Sequence, residues 1–182
     1  MQRLCFTMRL HPAHLVTYER MHREAWPELL VELDRTGWRD YSLFLGGDGM
    51  LVGYLESADW PRSQSEMGDT AVSARWSLEM DRLVVPGTRM RWLELAEQTG
   101  GDEPLSADAT RGVQFAPPGE RLPAPPPVPA SARIATFRDP DGTNVRYLEL
   151  PPGIRLPEQH GFRRVFDLAA QLAAATSGKD TV

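Results

Sequence analysis

The sequence holds a single cysteine, Cys5, inside the apolar run Leu4-Cys5-Phe6. That scarcity excludes an intramolecular disulfide and a multi-cysteine metal site, and it points to a reducing cytoplasm. Basic residues are outnumbered: 20 Lys and Arg stand against 25 Asp and Glu, a formal net charge of −5. No basic field is available to hold a phosphate backbone or an anionic lipid surface, so nucleic acid and membrane are not expected partners. Long apolar runs are also missing. No segment approaches the roughly 20 residues of a membrane span, and the opening MQRLCFTMRL has too short an apolar stretch for a secretory signal. P-loop, GxGxxG, serine-elbow and CxxC patterns are absent, which disfavours nucleotide, acyl-transfer and redox chemistry.

What is present organises the first half of the chain. The 182 residues suit one ordinary domain plus an appendage. Residues 3–10 read as a strand, and Pro12 then presets the first turn of a helix. From there Leu15, Tyr18, His22, Leu29 and Leu33 form an inward stripe, with Glu19, Arg20, Arg23 and Glu24 opposite. Pro27 predicts a break near Trp26, and Gly37 a stop. YSLFL, then Gly46-Gly47-Asp48-Gly49, then MLVGYLE predict a hairpin. Asp59 and Thr70 serve as N-caps for a two-part helical stretch ending near Arg82, and Met90 to Glu97 reads as a fourth strand. The order βαββαβ is that of a ferredoxin-like α+β unit, in which both helices cover one face of the sheet and leave the other to be covered by something else.

Beyond Gln98 the character changes. Seven of the fifteen residues from Ala116 to Ala130 are proline, and residues 99–131 read as an extended linker. RIATF, the turn Asp139-Pro140-Asp141-Gly142 and NVRYLEL predict a second hairpin, and Phe162, Val165, Phe166, Ala169 and Leu172 an amphipathic helix. This ββα extension, residues 132–182, is too small to bury its own core and is expected to pack on the main domain, residues 1–98, or on a partner subunit.

The segment Tyr18-Glu19-Arg20-Met21-His22-Arg23-Glu24-Ala25-Trp26-Pro27-Glu28-Leu29 resembles the Y-x-x-x-H-x-x-x-W-P-E-L signature of the L-rhamnose mutarotases. Similarity continues at Gly37, at Tyr41-Ser42-Leu43-Phe44-Leu45 and at Arg75-Trp76, without a gap to about residue 80, and weakens over residues 90–97. The resemblance implies a dimeric α/β barrel that interconverts the α and β anomers of a 6-deoxy sugar without metal or organic cofactor. It places Tyr18, His22, Tyr41, Trp76 and Trp26 at the sugar, with His22 and Tyr18 catalytic. One departure stands out: the family often carries a second tryptophan after the one matching Trp76, and this chain has Ser77. That removes an apolar wall and leaves room for a larger or different substrate.

The residue types suit the chemistry. Mutarotation needs one proton delivered to the ring oxygen and one taken from the anomeric hydroxyl; a histidine titrating near neutrality serves either role, and a tyrosine hydroxyl holds or relays the other proton. Tyr18 and His22, four apart, project from one helix face. On spacing alone a hydrogen-bonded core pair is the commoner arrangement, and the resemblance favours the site. For Trp76, core packing competes equally with sugar stacking. His11-x-x-His14 has helical metal-ligand spacing but no third ligand nearby. FRDPDGTNVRYLEL resembles the last hairpin of vicinal-oxygen-chelate domains, where Glu149 would bind metal, yet the chain lacks room for the other ligand strands, so a plain hairpin is the simpler reading. His160 beside Glu158 reads as polar loop.

Two further functions stay open: a cofactor-free cyclase, isomerase or oxygenase of specialised metabolism on the same barrel, and a non-catalytic ligand-binding module. A homodimer is expected, because the open sheet face would otherwise expose alternate members of Met8, Leu43, Val52 and Leu93.

Overall fold

The structure, a computed structural model, describes residues 1–86, 88, 93–94, 98–99, 109–125, 128–139, 142–153 and 163–177, with only the backbone at 93–94 and 98–99. Met90, Glu97, Pro140, Asp141, Glu158, His160 and Phe162 lie outside the described residues. Strand β1 (Gln2–Arg9) leads through a 3-10 turn at Pro12–His14 into helices α1 (Leu15–Arg23) and α2 (Pro27–Arg35). The expected break falls at residues 24–26, with Pro27 at the first turn of α2. Gly37 ends α2 with φ 84, and the amides of Gly37 and Trp38 donate to the carbonyls of Asp34 and Leu33. The hairpin β2 (Arg39–Leu45) and β3 (Met50–Ser57) follows, then α3 (Trp60–Gly68) and α4 (Ala71–Asp81). Asp59 and Thr70 cap these helices, accepting from the amides of Arg62 and Ser73 at 3.3 and 3.2 Å.

The described part of β4 is Leu93–Glu94, and it completes the antiparallel order β4-β1-β3-β2 of a ferredoxin-like sheet. Phe6 pairs with Gly53 across β1 and β3, and its ring lies where any Cβ at Gly53 would stand. Glycine is required there by close approach.

The extension departs from the sequence reading in two places. Strand β6 (Thr110–Ala116) lies inside the stretch read as linker, and β9 (Arg163–Asp167) occupies the first half of the expected helix, leaving α5 at Leu168–Ser177. Prolines surrounding β6 dominate the composition of its neighbourhood, yet Val113 is buried between sheets and every β6 residue pairs with β8. Val165 and Phe166 fit both helical and extended patterns; pairing with β2 decides for the strand. The strands β5 (Gln98–Thr99), β7 (Arg133–Arg138), β8 (Asn144–Leu150) and β6 form a second antiparallel sheet, in the order β5-β7-β8-β6. The turn between β7 and β8 closes through Gly142, φ 91, whose amide donates to the Asp139 carbonyl at 2.9 Å.

This second sheet covers the first-sheet face opposite the helices. Cys5, Phe44, Met50, Val52 and Tyr54 pack there against Val113, Val145 and Tyr147, with the Tyr54 and Tyr147 rings stacked 3.9 Å apart at 4°. Of the residues expected on that face, Val52 lies on it, whereas Met8 and Leu43 pack on the helical side. A buried ion network joins the sheets beside this core. Arg133 reaches Glu56 on β3 and Glu149 on β8, the latter at 2.8 Å. Arg111 holds Glu149, Asp167 and Asp40 at 2.9, 3.2 and 3.4 Å. Tyr54 donates to Glu56 at 2.6 Å. Glu149 is thus taken up by two guanidinium groups.

The homodimer rested on an open apolar face, and that face is occupied by the chain itself. The large exposed hydrophobics among the described residues are Met1, Val16, Val31 and Leu78. Light scattering at micromolar concentration is therefore expected to return the mass of one chain, 20.4 kDa. Twice that mass would show that another surface associates.

Candidate active site

A cavity of about 400 Å³ opens between the helices and the first sheet. Its walls come from elements on all sides: Phe6 and Met8 of β1, Tyr18 and His22 of α1, Leu29 and Leu33 of α2, Tyr41 of β2, Trp60 of α3, Trp76 and Ser77 of α4, and Phe166 of β9. The inward stripe of α1 buries Tyr18 and His22 together, because residues four apart share a face. The start of β2 and the middle of α4 bring Tyr41 and Trp76 to the same cavity.

His22 is held firmly. Its ring stacks on Tyr18, centroids 4.0 Å apart, and meets the edges of Trp76 and Phe166 at 5.2 and 5.8 Å. Its Nδ1 lies 3.0 Å from the Tyr18 carbonyl oxygen. A carbonyl only accepts, so the hydrogen bond assigns the ring proton to Nδ1 and leaves the lone pair on Nε2. Burial lowers the His22 pKa to about 4, against a smaller opposing effect of that backbone contact. The sequence reading of a histidine titrating near neutrality is corrected accordingly: desolvation keeps His22 neutral, a base in waiting. Burial also pushes the Tyr18 hydroxyl well above its ordinary pKa, with Tyr41 adding to the rise, and raises that of Tyr41 itself. Both phenols stay protonated at neutral pH.

Trp26 does not line the cavity. It stands behind Trp76, edge to face at 5.2 Å, and Arg75 lies 5.0 Å above its ring. It buttresses the wall rather than forming it. Residues the sequence did not assign to the site complete an aromatic surround: Trp38 contacts Trp60 and Tyr41 at 5.2 and 5.0 Å, and Phe166 contacts Tyr41 at 5.2 Å. Trp38 follows the helix-ending Gly37 and Trp60 follows the cap Asp59, local signals that mark both as element-end aromatics. Polar groups at the cavity are few and include Gln64, Ser73, Ser77, Asp81 and Thr88. Apolar walls with a few placed polar groups are usual for small-molecule sites, which run from roughly 300 to 1,000 Å³.

The alternative ligand sets have other partners. His11 Nδ1 accepts from the Ala13 amide at 3.4 Å, and the His11 and His14 rings lie 5.4 Å apart. Glu149 belongs to the inter-sheet ion network. Among the described residues no cluster of three or more His, Cys, Asp or Glu could hold a metal.

Comparison with known proteins bears on residues 3–101, which match the family model for L-rhamnose mutarotase. Relatives include an L-rhamnose mutarotase of Oceanobacillus iheyensis, 36% identical over 77 residues, covering 42% of this chain and 73% of that protein. One from Acidiphilium cryptum is 39% identical over the same shares of each. An L-fucose mutarotase of Xanthomonas campestris pv. campestris is 32% identical over 97 residues, 48% of this chain and 77% of that one. A solved L-rhamnose mutarotase from Formosa agariphila aligns with TM-score 0.43 and 22% identity over 53% of this chain and 95% of its own. The family model spans more than half of the 182 residues and contains Tyr18, His22, Tyr41 and Trp76, and the chain belongs to the L-rhamnose mutarotase family.

Proposed function

We propose that this cavity interconverts the α and β anomers of a 6-deoxy sugar such as L-rhamnose, the reaction of an isomerase of the aldose 1-epimerase class. The carrying observation is the meeting of a neutral, buried His22 with two protonated tyrosines in one open cavity. His22 Nε2 takes the proton of the anomeric hydroxyl, and the freed electron pair forms the C1 carbonyl as the C1–O5 bond breaks. O5 receives a proton from a tyrosine hydroxyl, Tyr18 or Tyr41. The aldehyde rotates, O5 adds to the opposite carbonyl face and returns its proton to the tyrosine, and His22 restores its own to O1. Proton and electron counts balance, and the protein emerges unchanged. Trp76 offers its indole to the C–H face of the sugar. The free, buried Cys5 supports a reducing cytoplasmic setting.

The test is saturation-transfer NMR between the anomers of L-rhamnose, beside L-fucose and D-glucose. Exchange of L-rhamnose well above the buffer rate is expected. Exchange no faster than buffer for every sugar would overturn the reading and favour a cyclase or isomerase acting on a larger cyclic metabolite. The mostly apolar wall and Ser77 suit that second reading.

A further inference from the structure

Residues 163–177 lie outside the stretch matched by the family model, yet they form part of the cavity and grip the helix that carries His22. Strand β9 pairs antiparallel with β2, setting Phe166 opposite Leu43 on the helical side of the sheet. Phe166, buried, lines the cavity and touches both His22 and Tyr41. Two anchors hold it in place. Arg163 grips the Glu19 carboxylate of α1 through Nε and Nη2, at 3.0 and 2.6 Å. Gln171 donates to the His22 carbonyl at 2.5 Å, satisfying one of the last carbonyls of α1, which have no partner within their helix.

We propose that Phe166 is a specificity-determining residue: its ring forms an apolar seat for the C5 methyl of a 6-deoxy sugar and rejects the hydroxymethyl of the corresponding ordinary hexose. This rests on the mutarotase reading of the cavity. With His22 at the anomeric hydroxyl, the atoms beside the reacting C1–O5 bond are C2 and C5. C2 carries a hydroxyl, and C5 carries a methyl in a 6-deoxy sugar. A hydroxyl pressed against the Phe166 ring loses water without gaining a partner. The least costly orientation therefore turns the C5 methyl toward Phe166 and leaves the ring hydroxyls to the polar groups elsewhere on the wall. Phe166 brings this aromatic surface to the cavity from outside the stretch matched by the family model.

L-rhamnose and L-mannose differ only by the hydroxyl on C6, so their anomer exchange isolates the proposed contact. With the full-length protein, kcat/KM for L-rhamnose is expected to exceed that for L-mannose by about 10- to 100-fold, the usual penalty for one hydroxyl in an apolar pocket. Phe166→Ser should bring the ratio down toward unity, mainly by improving L-mannose. Phe166→Tyr keeps the ring and the packing while supplying a hydroxyl, and should move the ratio in the same direction, so the test survives if the serine variant fails to fold. Equal exchange of both sugars by the wild type, or an unchanged ratio in Phe166→Tyr, overturns the role of Phe166 while the mutarotase reading stands. Exchange of neither sugar overturns that reading itself.

Discussion

His22→Gln is expected to lower α/β exchange of L-rhamnose by about 10² to 10⁴, the usual contribution of one positioned acid-base group. Glutamine is close in size and keeps a hydrogen-bonding end beside the Tyr18 carbonyl, so the Tyr18 and Trp76 contacts should hold the fold. Exchange equal to wild type would remove His22 from the chemistry and leave Tyr18 and Tyr41. The lowered pKa adds a pH signature with a definite sign. His22 is a base whose folded pKa, about 4, lies below its ordinary 6.5. The unfolded chain therefore binds a proton more readily between those values. The stability due to His22 is full above pH 6.5 and is lost as pH falls toward 4. At about 1.4 kcal/mol per pH unit the loss is about 3 kcal/mol. Urea unfolding of wild type and His22→Gln at pH 7 and pH 4.5 isolates it, because the variant lacks this part of the slope. Parallel losses in both proteins would show that His22 is not buried neutral. The same pKa keeps the base unprotonated through the neutral range, so exchange should be flat from about pH 6 to 8.

The largest expected effect on stability lies in the other half of the molecule, at Arg133. Its guanidinium is buried between Glu56 and Glu149, and Arg111 shares the second carboxylate. Arg133→Met preserves length and apolar stem but strands buried carboxylate charge, which typically costs about 3 to 5 kcal/mol. For a chain of this size that corresponds to a thermal midpoint lower by roughly 10 °C. Adding Glu56→Gln should restore part of the loss, since a neutral amide tolerates burial better than an unpaired carboxylate. Differential scanning calorimetry of the single and double variants gives the comparison. A midpoint within a degree or two of wild type for Arg133→Met would mean that apolar packing, centred on Tyr54 and Tyr147, holds the second sheet without help from the ion network.

The legible parts of this protein are those governed by local chemistry. Pro27 breaks a helix because proline lacks an amide and crowds the preceding turn, whatever surrounds it. Gly37 and the caps Asp59 and Thr70 act within four residues of themselves, and all stand where the sequence placed them. Tyr18 and His22 were readable because four-residue spacing on a helix fixes a shared face. Trp26 shows the limit: it belongs to the same motif, yet it sits one layer behind Trp76. Motif membership gives proximity to the site but not orientation.

The sequence by itself determined the βαββαβ order, the helix ends of that first unit, the family and the pairing of Tyr18 with His22, since each follows from contacts a few residues apart or from a compact motif. Three matters were decided only by the tertiary structure. The open sheet face, complementary in principle to a second copy, is covered by β6 to β8 of the same chain; β6 pairs with β8 across a long stretch of chain, and such pairing leaves no periodic trace in a proline-rich sequence. Val165 and Phe166 are strand rather than helix because the free edge of β2 supplies hydrogen bonds that outweigh local propensity. The protonation of His22 is set by enclosure: Tyr18, Trp76 and Phe166 come from three distant parts of the chain, and together they exclude the water that would stabilise its charge.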